Sequence, residues 1–138
     1  MRRAVLATTV LAGIGALVLP SSAAPPKPIT KTYTVTAAPS GIASAYCTNM
    51  PTTHEKHYEP FSAPAKGTLK VSMTASAGDW DIFLLDAAGS TIAESASLGL
   101  DPESYTYKVK KAQKLSLLTC NPLGGPTATV TYTFTFAA

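Results

Sequence analysis

After residue 30 most of the chain alternates apolar with polar positions at a period of two, and no window holds a sustained helical period with caps. Gly67–Ala75 shows this most clearly. Leu69, Val71, Met73 and Ala75 fall on one face while Lys70, Ser72 and Thr74 fall on the other, the mark of a strand half buried on a core. Lys31–Thr36 repeats the pattern with Tyr33 and Val35 inward, and residues 105–110 repeat it with Tyr105, Tyr107 and Val109 inward. Thr127–Phe136 sets threonine against Val130, Tyr132, Phe134 and Phe136 over its whole length. Two runs break the alternation. Trp80–Leu85, broken by Asp81 alone, and Leu115–Cys120 carry apolar residues on both faces, which predicts strands covered on both faces. Thr91–Ser97, carrying Ile92, and Ile42–Cys47 read as shorter strands, and Glu55–Phe61 reads as an edge strand because Pro60 lies inside it.

Turn chemistry separates these runs. Gly78-Asp79 opens the central apolar run and Asp86-Ala87-Ala88-Gly89 closes it, while Pro39-Ser40-Gly41, Gly99–Pro102, Lys111–Lys114 and Asn121–Pro126 punctuate the rest. Seven or eight strands with such spacing predict an all-β fold, an antiparallel β-sandwich, with a closed barrel as the alternative architecture.

The first residues do not belong to that pattern. Arg2 and Arg3, the apolar run 4–19, Pro20 and the small residues Ser21, Ser22, Ala23 and Ala24 have the three parts of a secretory signal. Cleavage after Ala23 fits the small-x-small pattern and gives three segments: a signal over residues 1–23, a proline-rich extended lead-in over 24–31, and one β-sandwich domain over 32–138. The mature chain of about 115 residues suits a single core, and no second apolar stretch is long enough to span a bilayer. The expected address is the medium or the cell wall.

Charge narrows the partners further. Both arginines leave with the signal, so nine of the eleven basic residues remain, all lysine, against eight carboxylates. Such balance argues against nucleic acid and predicts no strong pull toward anionic membranes or polymers. Cys47 and Cys120 are the only cysteines, and an even pair in an exported chain predicts one disulfide rather than a nucleophile or metal pair, for which the C-x-x-C spacing is lacking. Lys108, Lys110, Lys111 and Lys114 read as a solvated edge that blocks edge-to-edge pairing.

Candidate chemistry is sparse. His54-Glu55-Lys56-His57 places its histidines three apart, not the four that a zinc-protease helix needs. On a strand Glu55, His57 and Glu59 share one face, the weak candidates for a surface zinc or calcium contact, and no cofactor is expected. Asp79, Asp81 and Asp86 could serve as paired carboxylates for glycoside hydrolysis, but capping turn amides is their simpler use. Their spacing also departs from a calcium loop. No G-x-S-x-G elbow occurs. The aromatic residues belong mainly to inward rows; if Trp80, Tyr105 and Tyr107 instead faced solvent, they would form a binding platform.

The stretch Gly78-Asp79-Trp80-Asp81-Ile82-Phe83-Leu84, followed by the Asp86-Ala87-Ala88-Gly89 turn, resembles the signature of the bacterial pre-peptidase C-terminal domains, and Phe61–Leu69 is similar to the strand that precedes it. Those are jelly-roll-like β-sandwiches commonly appended to secreted proteases and related to collagen-binding modules. The resemblance covers about residues 56–136 and gives Gly78, Asp79, Trp80, Asp81, Asp86 and Gly89 a structural role. Lys114-Leu115-Ser116-Leu117 replaces the family's usual Gly-x-Tyr, no protease domain is attached, and the segment Pro25–Pro39 has no carboxylate to match the acidic linker through which collagen-binding relatives hold calcium. What the resemblance implies is a secreted, non-catalytic module that binds an extracellular protein or polysaccharide or assists an exported enzyme. A small hydrolase using Asp79, Asp81 or His57 and a purely structural envelope protein are the alternatives.

Overall fold

The structure, a computed structural model, describes residues 24–41, 55–98 and 102–137. Eight strands run through them: β1 (Ile29–Thr36), β2 (Lys56–Ser62), β3 (Gly67–Ala75), β4 (Asp81–Leu85), β5 (Thr91–Ser95), β6 (Glu103–Val109), β7 (Lys114–Cys120) and β8 (Thr127–Phe136). They form two four-stranded antiparallel sheets, β1-β8-β3-β6 and β2-β7-β4-β5. This strand order is that of a jelly roll, the kind of sandwich that the resemblance implies.

Each strand follows its chemistry. β1 opens at Ile29, earlier than the proline-rich lead-in suggested, because Pro28 is the last residue without an amide and Ile29, Thr30 and Lys31 already pair with Phe134, Thr133 and Tyr132 of β8. β2 is an edge strand, which tolerates Pro60 opposite Ser116. β4 is buried at all five positions. Its Ile82 and Leu84 join Leu69, Val71, Met73, Leu117, Val130 and Phe134 in the core between the sheets, while Phe83 and Leu85 join Leu118 and Cys120 in a second cluster on the other face. The central run is thus covered on both sides, as its continuous apolar character requires. The possible strand Ile42–Cys47, the signal over residues 1–23 and His54 lie outside the described residues.

The outer face of the β1-β8-β3-β6 sheet is paved with hydroxyls. Thr30, Thr133, Lys70 and Thr106 form one cross-strand row, and Thr32, Thr131, Ser72 and Ser104 form the next. Thr30 and Thr133 share a 3.1 Å hydroxyl contact, and Thr32 and Thr131 one of 2.9 Å. Such pairs add locally to the sheet while every side chain stays on the solvent side.

Candidate functional site

Three places gather polar chemistry. The first is the stretch around Trp80. Trp80 is 1% exposed, and its indole Nε1 donates to the Gly125 carbonyl at 3.0 Å. The β7–β8 loop clamps it from the side: a Cβ on Gly124 would enter the indole ring, so only glycine fits there. Asn121 holds that loop, donating from Nδ2 to the carbonyls of Ala37 at 2.8 Å and Gly125 at 3.0 Å and accepting from the Gly124 amide at 2.6 Å. Trp80 is therefore no surface platform; the loop that a strand-by-strand reading leaves as a connection folds over it. Tyr105 and Tyr107 lie half buried against the core, with the Tyr105 hydroxyl enclosed and its ionisation pushed far up by burial.

The three aspartates divide. Asp86 caps its turn, accepting the amides of Ala88 and Ser90, each at 2.9 Å, while Gly89 supplies the left-handed conformation at φ 83°. Asp79 and Asp81 do not cap anything. They are 5% and 0% exposed, and none of their four carboxylate oxygens has a hydrogen-bond partner among the described residues. Burial first, then the neighbouring charges of Asp79, Glu103 and Glu94, pushes the Asp81 carboxyl up to about 7. Glu103, itself buried, accepts from the Ser95 hydroxyl and from the Ser97 amide at 2.9 Å, so it ties the edge strand β6 to the edge strand β5.

The second place is the opposite seam, between β1 and β2. Lys31 Nζ meets Glu59 Oε1 at 2.5 Å, His57 Nε2 lies 4.0 Å from Glu59 Oε2, and the Tyr33 and His57 rings are 5.6 Å apart. The hydrogen bond from Lys31 to Glu59 raises the lysine's pKa, and burial drives the Tyr33 phenol upward. Glu59 is thus committed to Lys31. Among the described residues no three histidine, cysteine, aspartate or glutamate side chains gather as metal ligands, around Glu55, His57 and Glu59 or elsewhere. Nor does His57 reach the aspartates. It pairs with Thr119 on the core side of its sheet, whereas Asp81 pairs with Cys120 on the face of Phe83 and Leu85.

The third place is a concavity of about 380 Å³ at the corner where β3 begins and β6 ends. Lys66, Gly67, Thr68, Lys108, Val109, Lys110 and Ala137 line it. β8 comes close to Gly67, where a Cβ would strike the Thr135 carbonyl and the Phe134 ring, and the Ala137 amide donates to the Lys66 carbonyl at 3.0 Å. Lys66 and Gly67 are the residues the sequence reading did not join to Lys108 and Lys110. The antiparallel register of β3 with β6, Gly67 opposite Val109 and Thr68 opposite Lys108, joins them, and no local sequence pattern announces it.

No protein-family model matches the sequence, and no curated protein matches it. Among solved structures, the pre-peptidase C-terminal domain of a collagenase from Bacillus anthracis is similar over 78% of this chain and 88% of that one, with a TM-score of 0.50 and 12% identity. The fold is pre-peptidase C-terminal-like. Yersinia pseudotuberculosis-derived mitogen is similar over 80% of this chain and 88% of that one at 16% identity, but its TM-score of 0.44 is too low to build on. At 12% identity the first likeness speaks to the pre-peptidase C-terminal-like fold and to nothing else. The resemblance carried by Gly78–Leu84 and Asp86–Gly89 is therefore met at the level of architecture.

Proposed function

We propose that the protein is a secreted, non-catalytic β-sandwich module that binds an extracellular polysaccharide or protein surface. The observation that carries this reading is the fate of the candidate catalytic groups. Asp79 and Asp81 are sealed from solvent, and His57 projects from the opposite face of the sheet that holds Asp81. A hydrolytic pair needs both groups on one substrate cleft. What the fold presents to solvent instead is the hydroxyl-paved outer face of the β1-β8-β3-β6 sheet and the lysine-lined concavity at its corner.

Export through the segment 1–23 and a Cys47–Cys120 bridge belong to the same proposal. Cys120 is fully buried at the end of β7, its sulfur 4.0 Å from the Asp81 carbonyl, and no free cysteine stands among the described residues. The test is retention of the exported, oxidised protein on insoluble polysaccharides and on immobilised secreted proteins. Retention on either class is the expected result. Retention on neither sinks the binding reading and leaves a purely structural envelope role. Release of sugar or peptide from the retained material, lost in Asp81→Asn, would instead restore the hydrolase.

A further inference from the structure

The near-neutral sum of charges conceals a separation. Lys66, Lys108 and Lys110 surround the corner concavity, and no carboxylate lines it. None of the three forms an ion pair among the described residues. Asp79, Asp81 and Glu103 stand at the other end of the sandwich: Glu103 opens β6, which Lys108 nearly closes, and Ser95 binds Glu103 beside the start of β4. Three lysines that line one hollow with no ion pair among the described residues repel one another unless an anion lies between them. Lysine, a strongly hydrated point charge, suits phosphate, sulfate or carboxylate groups without demanding a planar fork.

The surroundings select the kind of polymer that carries the anion. The hollow opens onto the hydroxyl face, since Thr68 and Lys108 are a cross-strand pair at its margin and Lys70 with Thr106 form the next outward pair. That face carries only threonine, serine and lysine on the described strands, with no aromatic side chain to stack on a base and no apolar side chain to enter a bilayer. Hydroxyls in rows are instead suited to the hydroxyls of a glycan. A hollow of about 380 Å³ falls in the range that holds one small ligand unit.

We infer that the corner formed by Lys66, Lys108 and Lys110 binds the charged group of an anionic polysaccharide, whose chain continues over the adjoining threonine face. This rests on the binding function proposed above and names its site and partner class. Attraction to anionic polymers, which the chain's overall balance argued against, thus arises from where the charges lie.

The test uses the exported protein and three probes, polygalacturonate, dextran sulfate and a poly(glycerol phosphate), with neutral dextran, a single-stranded oligonucleotide and phosphatidylglycerol vesicles alongside. The protein should bind at least one anionic glycan more tightly than dextran, oligonucleotide or vesicles, with affinity falling as salt rises. Lys66→Gln/Lys108→Gln/Lys110→Gln should weaken that binding roughly 10- to 100-fold and flatten the salt slope by about two to three. Lys27→Gln/Lys111→Gln/Lys114→Gln removes the same charge outside the hollow and should change affinity less than about twofold. All six lysines are exposed, and unchanged thermal unfolding confirms that the variants fold. Equal losses in the two triple variants overturn the inference, as does equal or tighter binding to the oligonucleotide or vesicles. Retention on neutral polysaccharide or secreted protein with no anionic glycan bound overturns the site while leaving the binding function standing. No retention on any material overturns both.

Discussion

Asp81→Asn should stabilise the protein in neutral solution and do so more strongly as the pH rises. The Asp81 carboxyl is fully buried with no hydrogen-bond partner among the described residues, and burial first, then the charges of Asp79, Glu103 and Glu94, lifts its pKa from 3.8 to about 7. The folded chain therefore holds this proton more tightly than the unfolded chain does. The linked stability is fully present below about pH 4 and is lost as the pH climbs through about 7. At 1.36 kcal/mol for each tenfold change, the full interval corresponds to about 4 kcal/mol, and screening by nearby solvent and polar groups reduces it to roughly 2. Asparagine has nearly the same shape and cannot ionise. Its amide adds an offset that does not depend on pH, so the slope carries the information. Urea unfolding at pH 4.5, 6.0 and 7.5 measures it. The variant should gain about 2 kcal/mol on the wild type between the lowest and highest pH. Parallel pH profiles would show that Asp81 is not held protonated by its surroundings, and the account of the buried acids would fail.

Other parts of the molecule are as open to test. Trp80→Ala, which empties a fully buried site and removes one of the two donors to the Gly125 carbonyl, should cost about 3–5 kcal/mol in the same unfolding assay; a loss below about 1 would mean that the β7–β8 loop does not depend on the indole. Gly124→Ala should cost about 1–3 kcal/mol by driving a methyl group into that ring, and pairing it with Trp80→Ala should recover part of the loss. The proposed Cys47–Cys120 bridge closes a loop of 73 residues, so reduction should lower stability by about 4 kcal/mol at most. Two thiols titrating in the denatured, unreduced protein would refute the bridge.

Period-two patterning was enough to place the strands, because each inward row needs apolar side chains whatever its partner strand. Leu69, Val71 and Met73 in β3 and Val130, Tyr132 and Phe134 in β8 announce themselves in this way, and the paired apolar runs of β4 and β7 identify the strands buried on both faces. Pairing order was not legible, since any of these rows could face any other. Nor was the destination of Trp80: its burial depends on Gly124 and Asn121, more than 40 residues later, in a loop whose sequence shows only turn residues. The aspartates illustrate the same limit. Asp86 caps a local turn, which local sequence describes; Asp81 feels the charges of Glu103 and Glu94, which only the topology brings near.

The seams leave the outer face of the sandwich free for the binding proposed above. A jelly roll has four edge strands, and here β1 and β2 flank one side while β5 and β6 flank the other. Each side is closed by an inward-pointing carboxylate: Glu59 meets Lys31 across β2 and β1, and Glu103 meets Ser95 across β6 and β5. Charges turned inward at an edge both join the sheets and discourage pairing with another chain. Structural duty is thereby concentrated between the sheets and along these two seams. The outer rows of β1, β8, β3 and β6 contribute hydroxyl contacts worth only tenths of a kcal/mol each. Substitutions on that face, including the lysines at its corner, can therefore alter binding while leaving the fold intact, which is what makes the proposed site separable from the scaffold that carries it.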